Sequence, residues 1–270
     1  MLTYEALTEQ AKTRGMPATK IRGVLREYLQ ILILKELGKN ESGKKLYFTG
    51  GTYLRLAHNL KRFSEDLDFN SADIKKVEFE NLVDRVKLAL DRISIKCRVK
   101  FKHWDNIYAS DIIFPDIEKS YGTVSRYSKK EGVVIKIETN KPRWKIKGET
   151  EVIGGFGEIY PCLCTNKGAL LADKIDALNK KTRGRHLYDI VFMLSRRYPV
   201  DKTVIAALGI KEDPLDLVVE RVKSFSTEEL KRQAEGLRPF LFEEEDANLI
   251  INAHQIMPSL IADYRSAVNG

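Results

Sequence analysis

The 270-residue chain has little that would tie it to a membrane or to an oxidising compartment. No uninterrupted apolar run reaches the roughly 20 residues that a bilayer-spanning helix needs. The opening stretch, MLTYEALTEQAKTRG, is polar and carries acids. It lacks the basic end, apolar stretch and small-residue cleavage site of a secretory signal, so a cytoplasmic location is expected. Three cysteines, at 97, 162 and 164, argue against a disulfide framework. Nothing around Cys162 and Cys164 supplies two further thiol or imidazole ligands at zinc-site spacing, and reduced thiols are expected. Internal repeats, low-complexity tracts and long Gly/Ser-rich linkers are also missing, which predicts two parts packed along a cleft.

What is present suits a globular protein of one or two domains, with 43% hydrophobic and 31% charged residues. The 46 basic and 38 acidic residues leave a net charge of +8, a modest bias toward polyanions. Its distribution is uneven. Segment 129–147, KKEGVVIKIETNKPRWKIK, holds seven lysines or arginines against two glutamates, and Lys180, Lys181, Arg183 and Arg185 form a second cluster. Either could face RNA or be a solvated charged surface. Trp144 alone does not make a base-stacking platform.

Apolar spacing predicts helices over the first forty residues, with Ile21, Val24, Leu25, Tyr28 and Leu32 on one stripe. The run Ile31–Leu34 widens that stripe, so this helix should be covered on more than one side. A short strand, Leu46-Tyr47-Phe48, leads through Gly50-Gly51 into a helix with Thr52 near its start, and Asp66–Phe69 alternates as a strand does. Helical spacing returns over 77–93, and β-branched and aromatic runs between 94 and 160 predict a succession of strands. Beyond Pro161 helices dominate, including 244–254 and a short one after Pro258. A boundary near 160–170 follows: an α+β core over 1–162 and a helical region over 163–270 that closes the cleft.

The sharpest pattern is Gly50-Gly51-Thr52, a short helix, and then Asp66-Leu67-Asp68-Phe69. Side chains two apart in a strand share a face, so Asp66 and Asp68 can converge on a cation while Leu67 and Phe69 enter the core. Magnesium suits two hard carboxylates and retains sites for phosphate oxygens, making a nucleoside triphosphate the natural third participant. The glycines would let backbone approach the phosphates, and Thr52 would add a hydroxyl and a helix-start amide. The plainer alternative is a tight turn followed by two solvated aspartates.

The order of these features resembles the nucleotidyltransferase superfamily. More narrowly, YFTGGTYLRL with RFSEDLDF is similar to the AbiEii/AbiGii toxins of type IV toxin–antitoxin pairs. That resemblance implies a mixed β-sheet core with flanking helices, and a third carboxylate completing the metal site. Glu138, in the strand-like VVIKIET, is the leading candidate, with Glu151 and Glu158 behind it. LLADKIDALNKKTRGRHLYDIVFML matches a second family block through Lys174, Ala177, Arg183 or Arg185, and Asp189. Lys174 would reach triphosphate oxygens, with Asp189 orienting it or an arginine. Arg62 resembles a commonly basic position ahead of the acid strand, although a salt bridge to Glu65 or Asp66 is an equal use for it. Arg62, Ser64 and Arg185 join Gly50, Gly51, Thr52 and Lys174 as expected nucleotide contacts.

One position departs: His186 stands where family members carry an aspartate after the arginine. It is assigned no general-base or ligand role, and isolated His58 and His103 are expected to be structural. The resemblance implies nucleotide transfer from a triphosphate to a hydroxyl, with the 3′ end of transfer RNA as acceptor and a cognate antitoxin as partner. A small-molecule acceptor and a catalytically silent RNA- or protein-binding module are the alternatives.

Overall fold

The computed structural model describes residues 1–105, 107–123, 132–181 and 183–269. Lys129 and Lys130 of the first basic segment lie outside the described residues. The chain divides into two compact units, Met1–Thr165 and Asn166–Gly270.

The first unit is built on a seven-stranded mixed sheet in the order β3-β4-β5-β2-β1-β7-β6. Its strands are β1 (Tyr47–Thr49), β2 (Leu67–Asn70), β3 (Arg98–Trp104), β4 (Ile107–Phe114), β5 (Val133–Asn140), β6 (Gly148–Gly155) and β7 (Glu158–Thr165). β2 runs parallel to β5 and β1 parallel to β7, while the remaining pairs are antiparallel. Helices α1 (Tyr4–Thr13), α2 (Ile21–Gly38), α3 (Gly50–His58) and α4 (Lys76–Arg92) accompany it, with a one-turn α5 (Ile117–Ser120). β5 shows the period-two logic: Val133, Ile135, Ile137 and Thr139 are buried, whereas Lys136 and Glu138 on the other face are half-buried.

The widened apolar face of α2 has the expected consequence, since every residue from Glu27 to Leu34 is buried. A carboxylate within that run needs compensation. Arg55 of α3 grips Glu27 with two hydrogen bonds, 2.8 and 3.1 Å, and Arg14 after α1 adds a third at 3.0 Å. Three helical segments are thereby fixed around one buried charge.

The second unit is helical: α6 (Lys167–Lys180), α7 (Gly184–Ser195), α8 (Lys202–Ala207), α9 (Pro214–Lys223), α10 (Thr227–Leu237), α11 (Asn248–Ile251) and α12 (Ala253–Asn269). Asn166 caps α6 by accepting the Ala169 N–H at 2.8 Å. Two sequence expectations are corrected here. The helix expected over 244–254 is broken into a 3₁₀ turn (Glu244–Ala247) and α11, with Asn252 leaving helical geometry at ψ 18°. The short helix expected after Pro258 is instead α12, which holds Pro258 inside it. Ala253, Met257, Ile261 and Tyr264 are all buried at helical spacing, and their packing outweighs the hydrogen bond that proline removes.

Candidate active site

Four adjacent strands carry one row of residues: Thr49 on β1 lies opposite Asp68 on β2, Asp68 opposite Glu138 on β5, and Glu138 opposite Ala109 on β4. Asp66 immediately precedes β2. Lys136 shares the face of Glu138 and donates to its Oε2 at 2.8 Å. Burial works against the Lys136 ammonium, but the Glu138 hydrogen bond and the charges of Asp66, Glu138 and Asp68 outweigh it and raise its pKa. Lys136 therefore lies within electrostatic reach of all three acids. Lys136 is not among the residues expected here, although its two-residue spacing from Glu138 on one strand carries the same signal.

The glycine pair is required by close approach. Gly50 has φ +81°, and a Cβ there would fall 2.6 Å from Asp68 Oδ2. A Cβ on Gly51 would fall 2.4 Å from an Arg62 guanidinium nitrogen and 3.0 Å from Ser64 Oγ. The start of α3 is thus brought against Asp68, Arg62 and Ser64 by the absence of side chains. Thr52 is fully buried, and its hydroxyl donates to the Asp66 carbonyl. Arg62 is buried and donates to the Phe63 carbonyl at 3.0 Å. Gln30 of α2 donates to the carbonyls of Ser64 and Glu65 at 3.1 and 3.0 Å. Glu65 pairs with Arg26 at 3.1 Å. The segment entering β2 is consequently held at three successive residues, Ser64, Glu65 and Asp66, through their backbone carbonyls.

In the second unit, Lys174 on α6 and Asp189 on α7 form a buried ion pair of 2.7 Å. Arg185 is half-buried on the first turn of α7, and Arg183 is exposed just before it. His186 is buried beside the pair, and neither ring nitrogen has a hydrogen-bond partner among the described residues. Burial, followed by the Lys174 charge, lowers its pKa to about 3 despite the opposing influence of Asp189. It is a neutral imidazole where an acid was expected.

The weaker alternatives for a third carboxylate lie elsewhere. Glu158 pairs with Lys35 at 2.5 Å. Glu151 groups with Glu149 and His58, whose donor atoms all lie within 4.8 Å of one another, a cluster capable of coordinating a metal ion. Sequence spacing could not reveal it, because His58 ends α3 while both glutamates belong to β6. His103 pairs with Glu80 at 2.9 Å.

No helix among the described residues is long and apolar enough to cross a membrane. No curated protein matches the chain. Solved structures share its fold, including these two. JHP933 from Helicobacter pylori is 20% identical, over 92% of this chain and 96% of that one, with a TM-score of 0.52. MenT4, a nucleotidyltransferase toxin from Mycobacterium tuberculosis H37Rv, is 17% identical, over 98% of this chain and 93% of that one, with a TM-score of 0.60. The sequence profile described as nucleotidyl transferase AbiEii toxin, type IV TA system, matches residues 32–253. With most of its length covered by that match, the chain belongs to the AbiEii nucleotidyltransferase toxin family.

Proposed function

We propose that this protein transfers a nucleotide from a nucleoside triphosphate to a hydroxyl group, with the 3′ end of transfer RNA as acceptor. The observation that carries the reading is the register of Asp68 beside Glu138, with Gly50 held against Asp68 by its missing side chain. The donor types suit magnesium, since Asp66, Asp68 and Glu138 each offer hard carboxylate oxygens and each acts electrostatically on Lys136. Bound there, magnesium would stabilise charge on the phosphate oxygens.

The chain's own groups divide the remaining work. Gly50 and Gly51 let Asp68, Arg62 and Ser64 close on the start of α3, whose amides are assigned to the phosphates. Glu138 keeps Oε2 on Lys136 and takes the acceptor's hydroxyl proton at Oε1. The acceptor oxygen then bonds to the α-phosphorus as the bond to the bridging oxygen of pyrophosphate breaks. Lys174, with its position fixed by Asp189, is assigned to the β and γ phosphates, and Arg185 to the same charge. Lys141, Arg143, Lys145 and Lys147 are all exposed and support an RNA acceptor through phosphate contacts. A type IV antitoxin is the protein partner that family membership implies.

Purified protein incubated with magnesium, each α-labelled triphosphate and total transfer RNA tests the reading. Metal-dependent label on RNA that is lost in Asp66→Ala/Asp68→Ala is the expected result. Pyrophosphate release with a small hydroxyl compound and none with RNA would replace the acceptor. No transfer by the wild type to either would favour a silent binding module, the alternative to which the neutral His186 lends weight.

A further inference from the structure

We infer that His58, Glu149 and Glu151 form a second metal site, selective for a borderline-soft dication of the zinc class and separate from the Asp66, Asp68 and Glu138 carboxylates. The argument begins with register. On the β6–β7 hairpin Glu149 and Glu151 stand opposite Cys164 and Cys162, so both carboxylates project from one face. α3 delivers its last residue, His58, to that face. The helix ends there because Asn59 adopts a left-handed conformation at φ 62° and the Leu60 N–H returns to the Leu54 carbonyl at 3.1 Å. His58 Nε2 comes within 3.9 Å of Glu151 Oε1.

Metal bonds of about 2.0–2.2 Å place neighbouring ligand atoms about 3–4 Å apart, so these donors need little movement to share one ion. Tyr53, five residues before His58 on the same helix, supplies the supporting contacts. Its hydroxyl donates to Glu149 Oε1 at 2.7 Å, and its ring meets the His58 imidazole edge-on at a centroid distance of 4.9 Å. Outer groups that orient metal ligands in this way are a regular feature of such sites. An imidazole among the donors disfavours magnesium, which demands oxygen ligands and keeps its waters, and favours zinc. One nitrogen and two carboxylates leave a fourth position for water, since Glu151 is partly exposed. An ion there would tie the end of α3 to β6. The start of the same helix carries Gly50 and Gly51, so the site would brace the phosphate-approach segment from its far end.

Equilibrium dialysis of the full chain against zinc chloride, in the presence of millimolar magnesium, decides the matter. One zinc per chain is expected in the wild type and equally in Asp66→Ala/Asp68→Ala. His58→Gln and the near-isosteric Glu151→Gln should each weaken uptake at least tenfold. Tyr53→Phe, which removes only the hydroxyl, should weaken it about tenfold. Far-UV circular dichroism identifies any variant that has lost its fold. Absence of zinc uptake, uptake unchanged in folded His58→Gln and Glu151→Gln, or uptake abolished by the aspartate substitutions would each overturn the assignment.

Discussion

Lys136 and His186 are pushed from their ordinary ionisation in opposite directions. Lys136 takes its raised pKa from Glu138 and the aspartates, so its contribution to stability is complete below the unfolded lysine value and is lost as pH rises through the folded one. His186 behaves in the opposite sense. Its folded pKa lies near 3 against 6.5 for a free histidine, so the unfolded chain binds the extra proton. The stability due to the neutral imidazole is complete above pH 6.5 and drains away as pH falls toward 3. Between pH 7 and pH 5 this single group should cost the fold about 2 kcal/mol. Urea midpoints of the wild type and His186→Asn at the two pH values check it: the variant should show a loss smaller by about that amount, and equal losses would refute the burial argument. For chemistry, Glu138→Gln should cut label transfer at least a hundredfold while far-UV circular dichroism shows the fold retained, because an amide accepts no proton from the attacking hydroxyl. Transfer at a near-wild-type rate would remove Glu138 from the mechanism.

At the level of elements, α2 and α3 are joined by a charge rather than by apolar contact alone. Glu27 and Arg55 are each about 2% exposed, so removing Glu27 leaves the Arg55 guanidinium buried without its counter-charge. Glu27→Ala should therefore destabilise the protein by about 3–5 kcal/mol, read as a shift in urea midpoint at constant slope. The exposed pair Lys39–Glu36 provides the contrast, and its disruption should cost under about 1 kcal/mol. Legibility in the sequence follows the same division. α2, β2 and β5 could be read because burial on a face leaves a local period, and Asp68 and Glu138 ride on those periods while Asp66 lies just before β2. The bonds of Arg55 and Arg14 to Glu27, and the cluster of His58 with two β6 glutamates, leave no local period because their members come from separate elements. α12 failed for a different reason. Pro258 signals a helix boundary locally, while the stripe of Ala253, Met257, Ile261 and Tyr264 that overrides it acts only through packing.

For the molecule as a whole, a net charge of +8 on 270 residues is too diffuse to identify RNA as a partner, and the test must separate local phosphate contacts from general attraction. The exposed side chains of Lys141, Arg143, Lys145 and Lys147 lie between β5, which carries Glu138, and β6. An acceptor strand reaching Glu138 would meet them at its phosphates. Each phosphate neutralised by a lysine or arginine contributes about 0.7 to the slope of log affinity against log salt for a single strand. Replacing Lys141, Arg143 and Lys145 together by glutamine should lower that slope by up to about 2 for transfer RNA and weaken binding at low salt. Triphosphate binding should be unchanged, since none of the three is assigned to the nucleotide. Filter binding over a series of salt concentrations gives the slope. A transfer RNA affinity insensitive to salt, or a slope unaltered by the triple substitution, would detach this surface from RNA and move the acceptor toward a small hydroxyl compound.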